Sequence, residues 1–206
     1  MGFAVSSDLP PEQAQVSDLY EIVKGEKVWP RVGEPDMDAL YEIVNGVRKA
    51  IPRMGALAAT TASFLVTHLN IYGWARQLGF AVAEVMLQLA PDRPQRRPDV
   101  SFIAYSEWQP PRREDPPAWP VVPLLTAEVI SPTNTAKDIE EKLDDYFAAG
   151  VGVVWVVYPT LGRVYVYESL TQVRILTEKD DLDGGAVLPG FRVGISALFA
   201  ALVKTP

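Results

Sequence analysis

The 206-residue chain predicts an α/β fold: a central mixed β-sheet flanked by helices, with a β-hairpin appendage at the N-terminus. Three observations carry that expectation. Residues 121–130 form an almost unbroken apolar run, the pattern of a central strand buried on both faces, with Glu128 as its only charge. A helical period follows and runs to Ala149, and a second apolar run at 153–158 completes a strand–helix–strand crossover. Near the N-terminus a β-prone hairpin signal occurs twice, as YEIVKG at 20–25 and YEIVNG at 41–46.

Each copy of that near-repeat continues to Pro-Arg-x-Gly. Two copies are too few for a solenoid. They predict a small antiparallel appendage in which the hairpins pair, or in which the first covers an edge of the second. The chain accordingly divides into an N-terminal extension over 1–37 and a main domain over 38–206. Residues 56–78 read as one long helix, with Leu57, Phe64, Leu65, His68, Leu69 and Tyr72 at helical spacing. The lone His68 on that stripe reads as packed core. Alternation over 80–89 predicts one strand, 99–105 the next, and the proline-dense stretch 110–123 a surface loop.

Thr133, Asn134 or Thr135 can cap the crossover helix, and Gly150 ends it. After the 153–158 strand, a turn at 160–162 leads to a hairpin partner at 163–168 and a further strand at 173–177. The Asp-rich DDLDGG segment reads as a loop, and 195–203 as a closing helix.

Composition narrows the chemistry. Without cysteine there is no disulfide, thiolate nucleophile or Cys-ligated zinc, and one histidine excludes a multi-His site. A metal would need oxygen ligands, which points to Mg²⁺, Mn²⁺ or Ca²⁺. No apolar run is long enough to cross a bilayer and no basic leader opens the chain, so a cytoplasmic location is expected. The net charge of −7 opposes nucleic-acid binding in general. Arg93, Arg96, Arg97, Arg112 and Arg113 do concentrate positive charge, yet as a stretch they read as a solvated loop.

Glu128 most needs a partner, because an ionised carboxylate in a buried strand is costly unless a metal or a lysine offsets it. Asp99 opens a strand directly after Pro98, so its carboxylate stands at a strand end where it can converge with Glu128 into an incomplete oxygen cage. On the crossover helix Ile139, Leu143, Tyr146 and Phe147 share the apolar face, while Asp138, Lys142 and Asp145 lie along its flank. Lys142 can therefore reach the sheet, and Lys137 points away. The alternative makes Asp138 and Lys142 an i, i+4 surface pair.

The motifs RRPDVSF, AEVISPTNTAKDIEEKLDDYFAAGV and VVWVVYP, with YEIVNG ahead of them, resemble a bacterial family of putative restriction endonucleases. That family belongs to the PD-(D/E)XK nuclease superfamily. The similarity covers about 41–199 and is most specific over 128–159. It implies a restriction-endonuclease-like core and a nuclease activity dependent on Mg²⁺ or Mn²⁺, acting on nucleic acid, with DNA the favoured substrate. Pro98 and Asp99 match the Pro-Asp of the motif and Glu128 its second acid; both acids are implied metal ligands. Ile130 stands where many members carry lysine, so Lys142 is the implied replacement from the following helix. Asp99, Glu128 and Lys142 are thus the implied catalytic residues, with Glu42 as an additional acid or an exposed hairpin residue. Where relatives often carry a histidine at the start of the long helix, this chain has Ala59, Thr60 and Thr61.

Two further readings stay open. A protein keeping the fold as a binding or interaction module fits the acidic charge and the missing in-strand lysine, and it could act as a homodimer. A buried Glu128–Lys142 ion pair without chemistry is the third. Trp108 and Trp119 flank the proline-dense loop and could stack on bases or anchor that loop.

Overall fold

The computed structural model describes residues 21–23, 26–28, 40–44, 46–91, 93–108, 117–132 and 134–200. It divides into two compact units, Met1–Ala39 and Leu40–Pro206. The expected boundary at 37/38, together with Arg112, Arg113 and Thr133, lies outside the described residues. In the first unit, β1 (Glu21–Val23) and β2 (Glu26–Val28) form an antiparallel hairpin with Ile22 opposite Lys27.

The second unit opens with β3 (Tyr41–Val44) and β4 (Val47–Ala50), the hairpin that the YEIVNG copy predicts. The other side of β3 is taken by β7 (Gln95–Arg96), which in turn pairs with β6 (Leu87–Gln88), giving the order β4-β3-β7-β6. The sequence-predicted strand over 80–89 is two pieces. Its first part is β5 (Gly79–Ala83), and Glu84 then adopts φ 51°, a left-handed turn that breaks the pleat and sends β6 to another sheet.

The central sheet holds β5, β8 (Val100–Ala104), β9 (Leu125–Val129), β10 (Val153–Tyr158), β11 (Arg163–Ser169) and β12 (Gln172–Leu176), ordered β12-β11-β10-β9-β8-β5. Only β9 and β10 run parallel, which makes the sheet mixed. The helix between them, α2 (Ala136–Ala149), starts at a capping box: Thr135 Oγ1 accepts the Asp138 N–H at 3.2 Å, and Asp138 reaches back to Thr135. Gly150 ends it with φ 98°, a conformation that costs a side-chain-bearing residue about 1 kcal/mol or more.

Helix α1 (Ala56–Ala75) covers the opposite face. Ala58, Ala62, Leu65, Leu69 and Tyr72 pack on Val100, Phe102, Leu125 and Trp155. Gly73 continues the helix without a break. A Cβ there would stand 2.7 Å from Gly79 O and 2.8 Å from the Phe102 ring, so its absence permits the close approach of helix and sheet. His68 is half-buried, stacks on Phe64 and bonds the Phe64 carbonyl through Nδ1, rather than lying in the core.

DDLDGG is not a loop. β13 (Asp181–Gly184) pairs with β14 (Leu188–Gly194), followed by α3 (Ile195–Ala200). Leu182 points inward and is fully buried, while Asp181 and Asp183 face outward to Arg192 and Arg174. The acidic composition concealed a strand period of two. Trp108 packs against Trp119 and Phe80, with centroids 4.8 and 5.2 Å apart, so these rings lie against the domain.

Candidate functional site

The end of β9 and the start of β8 place the two candidate acids together. Val100 pairs with Ala127 in an antiparallel register, so the next rung outward sets Asp99 opposite Glu128. Directly opposed residues share a sheet face, and this face is the one that α2 covers, through Leu143 and Tyr146 against Ile103, Val154 and Val156. Asp99 Oδ2 accepts the Val129 N–H at 2.6 Å, a side chain continuing the ladder where the strand ends.

Glu128 is 5% exposed and receives two donors from α2: Lys142 Nζ at 2.8 Å on Oε2, and the Tyr146 hydroxyl at 2.5 Å on Oε1. One helical turn separates these donors, so both reach the same carboxylate. Lys142 Nζ also stands 3.2 Å from Glu42 Oε1. Lys142 is thus not a surface partner of Asp138, which instead pairs with Lys49 at 2.6 Å. Lys137 is 84% exposed and pairs with Glu141.

Glu42 is 1% exposed, not an outward hairpin residue. Its Oε2 accepts from Arg96 Nη1 at 2.8 Å and its Oε1 from the Arg97 N–H at 3.1 Å. Arg96, 2% exposed, also donates from Nε to Asp145 Oδ2 at 2.7 Å, and its Nη2 pairs with the same oxygen. Arg97 donates to the carbonyls of Tyr41 and Glu84. The solvated-loop reading of this arginine stretch is therefore wrong for both residues. Arg96 is a structural cation holding β3 to α2, and Arg97 ties the hairpin to the loop after β5.

Charge and burial set the protonation of the group. Burial works to raise the Glu42 carboxyl, yet the Lys142 and Arg96 cations and the Arg97 N–H hold it below the usual range. Burial likewise opposes the Lys142 charge, but Glu128 and Glu42 keep the ammonium well above an ordinary lysine. Burial, then the Glu128 and Glu42 charges, push the Tyr146 phenol well upward, so it remains a donor. Asp99 behaves differently: burial and the neighbouring Glu128 charge push it up to about 7, and the Val129 N–H and Lys142 offset this only in part.

A cavity of about 230 Å³ opens onto these groups, with Glu42, Asp99, Glu128 and Lys142 in its wall. Lys49, Arg53 and Asp138 line it as well. Arg53 is exposed and, among the described residues, has no ion pair or hydrogen bond. Among the described residues, no helix is long and apolar enough to cross a membrane.

Among the described residues no three His, Cys, Asp or Glu side chains form a ready metal cluster. Two carboxylates, Asp99 and Glu128, do suit a hard divalent cation whose other positions go to water and substrate oxygens, as Mg²⁺ prefers. Burial first and the Glu128 charge second raise the Asp99 carboxyl, and such a cation would relieve the repulsion between the two acids.

Sequence reasoning missed Arg96, Asp145 as its partner and the Tyr146 hydroxyl. The 138/142/145 flank spacing and the 142/146 turn both carried a signal, but the arginine that meets Asp145 was hidden in a loop-like stretch.

Among curated proteins none matches this chain. The crystal structure of a putative nuclease belonging to DUF820 from Anabaena variabilis matches with a TM-score of 0.73 at 17% identity, over 82% of this chain and 95% of that one. The likeness establishes the restriction-endonuclease-like fold that the sequence predicts. The family model described as "Putative restriction endonuclease", Uma2, matches residues 31–198. With a match over most of its length, the chain belongs to the Uma2 family of putative restriction endonucleases.

Proposed function

We propose that this protein is a PD-(D/E)XK-type nuclease that hydrolyses phosphodiester bonds of nucleic acid, DNA foremost, with Mg²⁺ or Mn²⁺ held by Asp99 and Glu128. The observation that carries the reading is the rung of the sheet on which these two acids oppose each other beside Lys142, at a cavity. When bound, the cation supplies Lewis-acid activation of the phosphate and of a water. Lys142 hydrogen-bonds that water for in-line attack and offsets the charge that develops on the phosphoryl oxygens. Tyr146 holds Glu128 in orientation from beneath. Arg53, unpaired among the described residues, is available to a flanking phosphate, which concentrates positive charge at the site of an otherwise acidic chain.

Incubation of the purified protein with duplex DNA, single-stranded DNA and RNA, with Mg²⁺ and with Mn²⁺, tests this directly. Cleavage is expected, and Asp99→Asn and Glu128→Gln should each abolish it. No cleavage of any substrate, or cleavage that persists in both variants, refutes the assignment. A homodimer belongs to the same reading: among the described residues β12 ends the sheet, with Val173 and Ile175 exposed, and a sheet edge can be extended by a second copy. Sedimentation velocity reports it.

One observation favours a second reading. The 2.8 Å Lys142–Glu128 contact is also what a buried ion pair without chemistry shows, and such a pair is compatible with a protein that keeps the fold as a binding module. Calorimetric titration with Mn²⁺ separates the two, since the module takes up no cation at millimolar concentration.

A further inference from the structure

Glu42 is the buried acid to which the proposed hydrolysis gives no task, and both its oxygens are already engaged. Oε2 takes Arg96 Nη1 at 2.8 Å; Oε1 takes the Arg97 N–H at 3.1 Å and stands 3.2 Å from Lys142 Nζ. Arg96 is fixed from its other side by Asp145, which sits three residues after Lys142 on α2. The chain Asp145–Arg96–Glu42–Lys142 therefore leaves the helix, passes through β7 and β3, and returns to the same helix one turn away.

We infer that Glu42, clamped by Arg96 and Asp145, anchors the Lys142 ammonium and is a positioning residue, not a ligand of the cation. The inference rests on the proposed role of Lys142. Glu42 meets three partners, Arg96, the Arg97 N–H and Lys142, against two on Glu128 and one on Asp99, so a cation approaching Glu42 would displace the most in a buried place. Asp99 by contrast spends one oxygen on one backbone N–H. Lys142 lies between two acids with different duties. Glu128 is shared between the ammonium and the proposed cation, whereas Glu42 is held in place by Arg96 and the Arg97 N–H and keeps the ammonium in position when Glu128 is engaged.

Two measurements decide this. In amine labelling read by mass spectrometry, Lys142 of the wild type should react at least about tenfold more slowly than Lys137, and Glu42→Gln should raise Lys142 labelling about tenfold with Lys137 unchanged. Arg96→Lys, which keeps one charge but loses the fork onto both acids, should give an intermediate rate. In Mn²⁺ calorimetry Glu42→Gln should stay within about threefold of wild type while Asp99→Asn loses about tenfold or more. In cleavage, Glu42→Gln should lower kcat with KM little changed. Glu42→Asp serves as the second variant should the Gln protein not fold. Unchanged Lys142 labelling in Glu42→Gln, or a loss of Mn²⁺ affinity matching that of Asp99→Asn, overturns the inference. A wild type that takes up no Mn²⁺ defeats the hydrolysis reading instead, and the labelling result still decides whether Glu42 anchors the lysine.

Discussion

Two ion pairs of similar length offer a direct test of what burial does in this fold. Arg96 and Glu42 lie 2.8 Å apart with side chains 2% and 1% exposed; Lys49 and Asp138 lie 2.6 Å apart at 45% and 33%. Distance alone would rank the second pair as stronger. Arg96→Met removes a cation from a place where water cannot replace it, and breaking a buried pair in this way costs about 3–5 kcal/mol. Glu42 retains Lys142 and the Arg97 N–H, so the loss should lie toward about 3 kcal/mol. In a unit the size of Leu40–Pro206 that lowers Tm by roughly 6–12 °C. Lys49→Met leaves an acid that solvent can hydrate, and the cost should stay below about 1 kcal/mol. Urea unfolding followed by circular dichroism measures both. Equal losses in the two variants, or an Arg96→Met loss under about 1 kcal/mol, would refute the reasoning. The double variant Arg96→Met, Glu42→Gln should recover part of the loss, because the buried charge without a partner is what costs most.

Asp99 gives a pH signature. Its carboxyl is raised from 3.8 to about 7, so between those values the folded state holds a proton that the unfolded state has released, and stability falls as pH rises through that window. The stability of Asp99→Asn relative to wild type should therefore grow from pH 4 to pH 7, as read from Tm at each pH; a constant difference would contradict the raised carboxyl. Tyr146→Phe removes a hydroxyl that donates to Glu128 inside the core and should cost about 1.5–3 kcal/mol in urea unfolding; a neutral substitution would show that the bond adds nothing. Gly150→Ala meets no atom within 4 Å but keeps φ 98°, so about 1 kcal/mol of loss is expected from the backbone alone. No loss would mean that the helix end rearranges.

What the sequence disclosed was local. The period of the crossover helix placed Lys142 on the sheetward flank, and the apolar run with one acid in it marked Glu128 as a charge in need of a partner. The register that sets Asp99 opposite Glu128 is a pairing between distant segments, and the strand pattern alone could give only the convergence of their ends. The Arg96 bonds reach Glu42 and Asp145, which are 54 and 49 positions away. Nothing within a local window distinguishes such an arginine from a solvated one. The break at Glu84 was hidden for a related reason: the alternation of 80–89 continues across it, and only the left-handed turn shows that two strands serve two sheets.

Burial first, and then the Glu128 charge, raise the Asp99 carboxyl, and the charges of the bonded group show why its neighbours do not offset this in full. Asp145, Arg96, Glu42, Lys142 and Glu128 form a continuous chain in which three carboxylates meet two cations, and Asp99 adds a fourth carboxylate with only an N–H for company. Every cation is already shared between two acids. Moving Lys142 toward Asp99 would expose Glu128 or Glu42 in turn, so side-chain rearrangement cannot cancel the excess. Of the two remaining negative charges a proton on Asp99 cancels one, whereas a divalent ion held between Asp99 and Glu128 would balance both. A site built only for stability would gain from an apolar residue at position 99; retaining an acid there is useful to a protein that binds something positive.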